Sequence, residues 1–144
     1  MMQASCMATV GIKQRSSEQA YVIDALKRLR RLGVKCRREV ALMGRSADLV
    51  FLHDEKLYSV EFKLHDWRRA LNQAKDHRIG VERAYVCMPG RAVTQAMMDE
   101  ATALGIGFLL YQDNEDWPFS VVLPAKENEV TWPVVRSRLI NTLQ

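Results

Sequence analysis

The runs Ala47–Leu52 and Leu57–Lys63 constrain this chain more than any other feature. Both are rich in apolar, β-branched and aromatic residues, the composition of strands. His53-Asp54-Glu55-Lys56 between them reads as a turn. An antiparallel hairpin closed symmetrically about that turn sets Leu52 against Leu57, Leu49 against Val60, and Asp48 against Glu61. Directly opposed residues have Cβ atoms ~4.5–5.5 Å apart, where like charges repel. Lys63 emerges two residues beyond Glu61 on the same face, with Cα atoms ~7 Å apart. Phe51/Tyr58, Leu49/Val60 and Ala47/Phe62 fill one face, and Val50, Leu52 and Leu57 much of the other. The hairpin is therefore expected inside a sheet covered on both sides, where charges need partners. Two carboxylates and an ammonium on one patch fit a bound metal cation. The plainer alternatives are a carboxylate pair at an exposed edge, and a Lys63 salt bridge that leaves catalysis open.

The rest of the chain alternates helix and strand. Ser16-Ser17-Glu18-Gln19 fits a capping box with Ser16 as cap. Val22, Ala25, Leu26, Leu29 and Leu32 then recur at helical spacing until Gly33. Val34–Leu42 reads as the first strand, and the hairpin supplies the second and third. Asp66 caps a helix from Trp67 to about Arg78, with Trp67, Ala70, Leu71 and Ala74 as its apolar side. Ala84–Met88 is a fourth strand, ended by Pro89-Gly90. A helix from about Arg91 to Leu104 presents Val93, Met97, Ala101 and Leu104, and Ile106–Tyr111 is a fifth strand. Trp117–Leu123 suits an edge strand, because Pro118 cannot donate to a ladder. A last helix from about Trp132 is expected to bury Trp132, Val135, Leu139 and Leu143. This order predicts an α/β fold: one mixed sheet with a central antiparallel hairpin, flanked by helices. At 144 residues the chain is expected to be one domain, with a core over about 16–110 and an extension over 111–144.

A net charge of +4 is mild, and its distribution says more. Arg28, Arg30, Arg31, Lys35, Arg37 and Arg38 fall within eleven residues. Arg68, Arg69, Lys75 and Arg78 follow the hairpin. Each cluster alone reads as a solvated face; two of them flanking a carboxylate patch point to a polyanion. Arg45, Arg68, Arg69, Lys75, His77 and Arg78 are the candidate nucleic-acid contacts. His53, His65 and His77 lack metal-ligand spacing and are read as surface residues, His65 and His77 as phosphate contacts. Trp67 suits either a base stack or the core. Cys6, Cys36 and Cys87 make no disulfide framework, so a reducing, cytoplasmic setting is expected. Neither a secretory leader nor a membrane span is expected, nor an organic cofactor.

Asp48, twelve intervening residues and then Glu61-Phe62-Lys63 resemble the core of the PD-(D/E)xK nuclease superfamily, the restriction-endonuclease-like fold. The helix–three strands–helix–strand order resembles that fold as well, and Ala47 stands where the motif's name puts proline. The resemblance implies that Asp48 and Glu61 hold Mg²⁺, assisted by the carbonyl of Phe62, with Mn²⁺ as a substitute. It implies that Lys63 orients or activates the attacking water and offsets charge on the phosphate. Glu18 on the first helix and Gln73 on the second fit its auxiliary positions. Glu18 equally suits a first-turn acid favoured by the helix dipole, Gln73 equally suits a plain flank position, and Glu39 competes with Glu18 and ranks below it. In size and layout the chain is similar to Holliday-junction resolvases. That similarity implies a homodimeric endonuclease, ahead of an exonuclease, acting on junction or branched DNA. An inactive nucleic-acid-binding relative and an RNA-directed nuclease are the alternatives.

Overall fold

The computed structural model describes residues 17–143. In chain order its elements are α1 (Glu18–Arg31), β1 (Cys36–Leu42), β2 (Arg45–His53), β3 (Lys56–Phe62), α2 (Trp67–His77), β4 (Arg83–Cys87), α3 (Gln95–Leu104), β5 (Gly107–Tyr111), β6 (Phe119–Leu123) and α4 (Pro133–Thr142). The six strands form one sheet in sequence order. The β1–β2, β2–β3 and β5–β6 pairs are antiparallel, and β3–β4 and β4–β5 are parallel. The expected mixed sheet, with its antiparallel hairpin flanked by helices, is the one observed. Among the described residues, no helix is long and apolar enough to cross a membrane.

Local chemistry explains the ends of the helices. The first cap is Ser17, whose side chain accepts from the Ala20 N–H at 3.2 Å; the expected cap, Ser16, lies outside the described residues. Gly33, at φ 79°, supplies the left-handed turn that ends α1. Asp66 caps α2 as expected, accepting from the Arg69 N–H. Helix α3 starts at Gln95 rather than near Arg91, because Thr94 captures the Met97 N–H at 3.2 Å.

Burial divides the helices between the two faces. Helix α1 covers one face through Tyr21, Val22 and Leu29, packed with Leu49, Phe51, Val60 and Phe62. The opposite face carries α2, α3 and α4 through Leu71, Met97 and Leu139, packed with Leu57, Val86 and Phe108. Each fully buried Leu, Val or Phe contributes roughly 1.5–3 kcal/mol. Strands β3 and β4 are sandwiched between both layers, which is why their sequences read as near-continuous apolar runs. Any charge there is held in place at a cost.

Two packing expectations fail. Trp132 is 54% exposed, because it sits at the N-cap of α4 with Pro133 in the first turn. Ala47 and Phe62 do not form a pair: Ala47 is paired with Val40 and packs under α2, whereas Phe62 packs under α1. At the far side of the sheet, a Cβ on Gly107 would stand 2.4 Å from the Leu123 carbonyl oxygen and 2.5 Å from the Ala125 nitrogen. Neither backbone atom can step aside without disturbing the β5–β6 edge. Gly107→Ala is expected to destabilise the fold by about 1–3 kcal/mol, read as a lower urea midpoint at unchanged slope.

Candidate active site

Asp48 lies where β2 releases both of its neighbours. The ladder to β1 pairs Arg38 with Leu49 and Val40 with Ala47 but skips Glu39, which is left-handed at φ 54°. Such a conformation costs a non-glycine residue roughly 1–2 kcal/mol. The ladder to β3 runs from His53↔Lys56 to Leu49↔Val60, the expected register, and stops there. Carboxylates take over the backbone groups beyond it. The Phe62 N–H donates to Asp48 Oδ2 at 2.8 Å, and the Asp48 N–H donates to Glu61 Oε2 at 3.2 Å. The two acids therefore clasp each other's strand across the hairpin.

Glu61 alternates with Val60 and Phe62, so its side chain faces α2, and the residue is only 2% exposed. Burial, and then the negative charge of Asp48, push its carboxyl up to about 8. Burial also raises the Asp48 carboxyl, against the pull of the Phe62 N–H. The Lys63 ammonium lowers both but does not cancel the rise. The pair is short of positive charge.

The other candidate residues lie on β1, α1, α2 and just beyond β3. Lys63, half-buried, follows directly on β3, and its N–H donates to the Cys87 carbonyl at 3.1 Å. Glu18 Oε2 accepts from the Leu64 N–H at 2.9 Å, tying the first turn of α1 to the residue after Lys63. The competing carboxylate, Glu39, is exposed and engaged by Gln19 and Arg38. The Gln73 Oε1 atom on α2 is buried with no hydrogen-bond partner among the described residues.

Asp48 and Glu61 would offer a cation oxygen donors only. Among the described residues, no group of three or more His, Cys, Asp or Glu side chains is arranged to hold a metal ion. A buried carboxylate and a half-buried one, both with raised proton affinity, would suit Mg²⁺, which takes one or two carboxylates and completes its shell with water and phosphate oxygens.

The basic residues separate into two kinds. Arg69 and Lys75 are exposed on α2. Arg45 pairs with Asp76 at 2.8 Å, and Arg68 pairs with Glu100 at 2.9 Å while lying 4.4 Å above the Trp67 ring. Exposed pairs of this kind are worth ~0–1 kcal/mol, so a phosphate can displace them. Arg78 instead donates to the Leu104 carbonyl and packs against Gly105, fastening α2 to the end of α3. In the earlier cluster, Arg28 is buried between Asp24, the Glu115 carbonyl and the Tyr111 ring, and Arg37 donates to the Thr142 carbonyl. These arginines hold the fold together.

His77 corrects an expectation. It is not a surface phosphate contact: the residue is 0% exposed, with Nδ1 4.0 Å from Glu61 Oε2. Burial pushes the imidazole down to about 4, so it is neutral at neutral pH and forms no ion pair with Glu61. The signal was present in the sequence, since His77 falls three residues after Ala74 and extends the apolar stripe of α2.

No protein-family model matches the chain, and no curated protein matches it. Solved structures do. A protein of unknown function aligns with a TM-score of 0.51 at 17% identity, over 68% of this chain and 61% of that one. A repair endonuclease from Pyrococcus abyssi aligns at 0.45 and 14%, over 67% and 48% of the two chains. SfsA from Pyrococcus furiosus, solved with Ca²⁺, aligns at 0.39 and 14%, over 75% and 61%. This chain thus spans 61% of the first neighbour's length and 48% of the endonuclease's. At these identities the likeness is one of fold, and it rests on the first of the three.

Proposed function

We propose that this chain is a divalent-metal-dependent nuclease of the PD-(D/E)xK type, hydrolysing phosphodiester bonds in DNA. The observation that carries the reading is the reciprocal clasp of Asp48 and Glu61, both carboxyls raised by burial, beside Lys63. A sheet interior tolerates such a pair when a cation offsets it.

In this reading Asp48, Glu61 and the Phe62 carbonyl hold Mg²⁺. When bound, the metal supplies charge stabilisation at the phosphate and a more acidic water. Lys63 donates to a non-bridging phosphate oxygen and holds the attacking water by its ammonium. The water oxygen bonds to phosphorus, and the bond to the 3′ oxygen breaks. That oxygen leaves as a hydroxyl after taking up a proton, while the water's proton passes to solvent. The products are a 5′-phosphate and a 3′-hydroxyl. Arg69, Lys75, Arg45 and Arg68 supply the phosphate contacts that hold the strand in register.

Glu18 acts as a positioning residue, because it fixes the backbone directly after Lys63. Glu18→Ala is expected to lower turnover about tenfold at unchanged KM, and Glu18→Gln, which keeps an acceptor, to retain most of it. A change confined to KM would contradict that role.

Parallel digestion of four-way junctions, linear duplex and RNA, each with Mg²⁺ or EDTA, tests the substrate class. Cleavage of DNA only with Mg²⁺ supports the reading. Cleavage of RNA alone would transfer the site to RNA, and salt-sensitive DNA binding without cleavage would favour an inactive binding relative.

A further inference from the structure

The most unusual polar group in the molecule is the imidazole of His77. It is 0% exposed, on the last turn of α2, and neither ring nitrogen has a hydrogen-bond partner among the described residues. A buried polar group left unpaired costs about 1–3 kcal/mol, and folded proteins retain few of them. An apolar side chain of similar size would remove that cost. The carboxylate that faces it is Glu61, whose Oε2 lies 4.0 Å from Nδ1. That gap is about one ångström longer than a hydrogen bond. The same oxygen already accepts the Asp48 N–H, so a second donor from the α2 side would fix Glu61 from both directions.

Resting on the metal-dependent reading above, we propose that His77 is a positioning residue for Glu61: its Nδ1–H donates to the Glu61 carboxylate when that carboxylate holds the metal. Closing 4.0 Å to hydrogen-bond length asks for an approach of about one ångström between the two side chains. The imidazole touches neither substrate nor cation. Its service is to orient one ligand and to favour that ligand's charged, metal-binding form, because a donated hydrogen bond stabilises a carboxylate. Partners of this outer kind typically change metal affinity 10–100-fold when removed. The placement also gives α2 a second role. Asp76 in its final turn meets Arg45 at the start of β2, and His77, the next residue, lies beside the acid that β2 and β3 hold between them.

Calorimetric titration with Mn²⁺ of wild type, His77→Phe and His77→Asn tests the assignment. Phe keeps the ring volume and removes the donor; Asn keeps a donor close to the position of Nδ1. The expected result is Mn²⁺ affinity at least tenfold weaker in His77→Phe and within about threefold of wild type in His77→Asn. In metal-free thermal melts, His77→Phe is expected to be as stable as wild type or more so, since an unpaired polar group is gone. Unchanged Mn²⁺ affinity in His77→Phe overturns the inference and leaves the nuclease reading standing, as does equal weakening in both variants, which would mark His77 as filler. No saturable Mn²⁺ binding by wild type overturns both. If His77→Phe fails to fold, the His77→Asn and His77→Ala pair decides, with weakening expected in Ala alone.

Discussion

Lys63→Ala is expected to reduce DNA cleavage about 10²–10³-fold while leaving the thermal midpoint nearly unchanged. The size of the effect follows from the role proposed for the ammonium, since one preorganised donor aimed at charge developing in the transition state is typically worth that factor. The small structural effect follows from the position. Lys63 stands past the end of β3, half-buried, and the backbone bond of its N–H to Cys87 survives the substitution. Removal of the ammonium also leaves the Asp48 and Glu61 carboxyls less opposed, since Lys63 lowers both. Lys63→Arg keeps the charge and is expected to recover part of the rate, limited by a guanidinium fork that does not fit a site for a compact ammonium. Single-turnover cleavage with Mg²⁺ in excess is the appropriate readout. Equal rates for wild type and Lys63→Ala would remove Lys63 from the mechanism.

Glu61→Gln is expected to abolish metal binding and, without metal, to stabilise the protein at alkaline pH. Glu61 titrates at about 8 in the folded chain against an ordinary 4.5. Between these values the folded state holds a proton that the unfolded state has lost. Stability therefore falls as pH rises through that window, and the loss is complete above about pH 8. Glutamine has nothing to ionise, so at pH 9 in EDTA Glu61→Gln should exceed wild type by at least ~1 kcal/mol, and the gap should shrink towards pH 5. A metal displaces the same proton. Wild-type Mn²⁺ affinity should thus rise up to about tenfold per pH unit until about pH 8 and then level off. Urea melts at pH 6 and pH 9 measure the first effect, and parallel pH profiles for the two proteins would contradict it.

The hairpin was legible because a short turn fixes register, and register fixes which side chains face each other. His53–Lys56 is enough to place Leu52 against Leu57 and Leu49 against Val60, and with them Asp48 beside Glu61. Helix caps were legible where one side chain does the capping, as at Asp66, and misplaced where two serines compete, as at Ser17. The break at Glu39 was not legible. Nothing in Arg-Arg-Glu-Val signals a left-handed glutamate, because tertiary pairing on both sides imposes that conformation. The surroundings of the basic residues were not legible for a related reason. Arg78 looks like a phosphate contact in sequence, and Arg28 and Arg37 belong to a basic cluster, yet each donates to a backbone carbonyl, at Leu104, Glu115 and Thr142 respectively. Arginine serves either purpose with the same chemistry, and only packing separates them. His77 was misread because a polar residue on an apolar stripe is judged by type, when its spacing from Ala74 already placed it inside.

The role proposed for Asp48 and Glu61 is to hold a divalent cation for hydrolysis of DNA. Its most direct test is cleavage of end-labelled branched and linear DNA by wild type and Asp48→Asn, each with Mg²⁺ and with EDTA. Products bearing 5′-phosphates are expected from wild type with Mg²⁺ alone, and none from Asp48→Asn. Cleavage that persists in EDTA, or proceeds equally in Asp48→Asn, would contradict it.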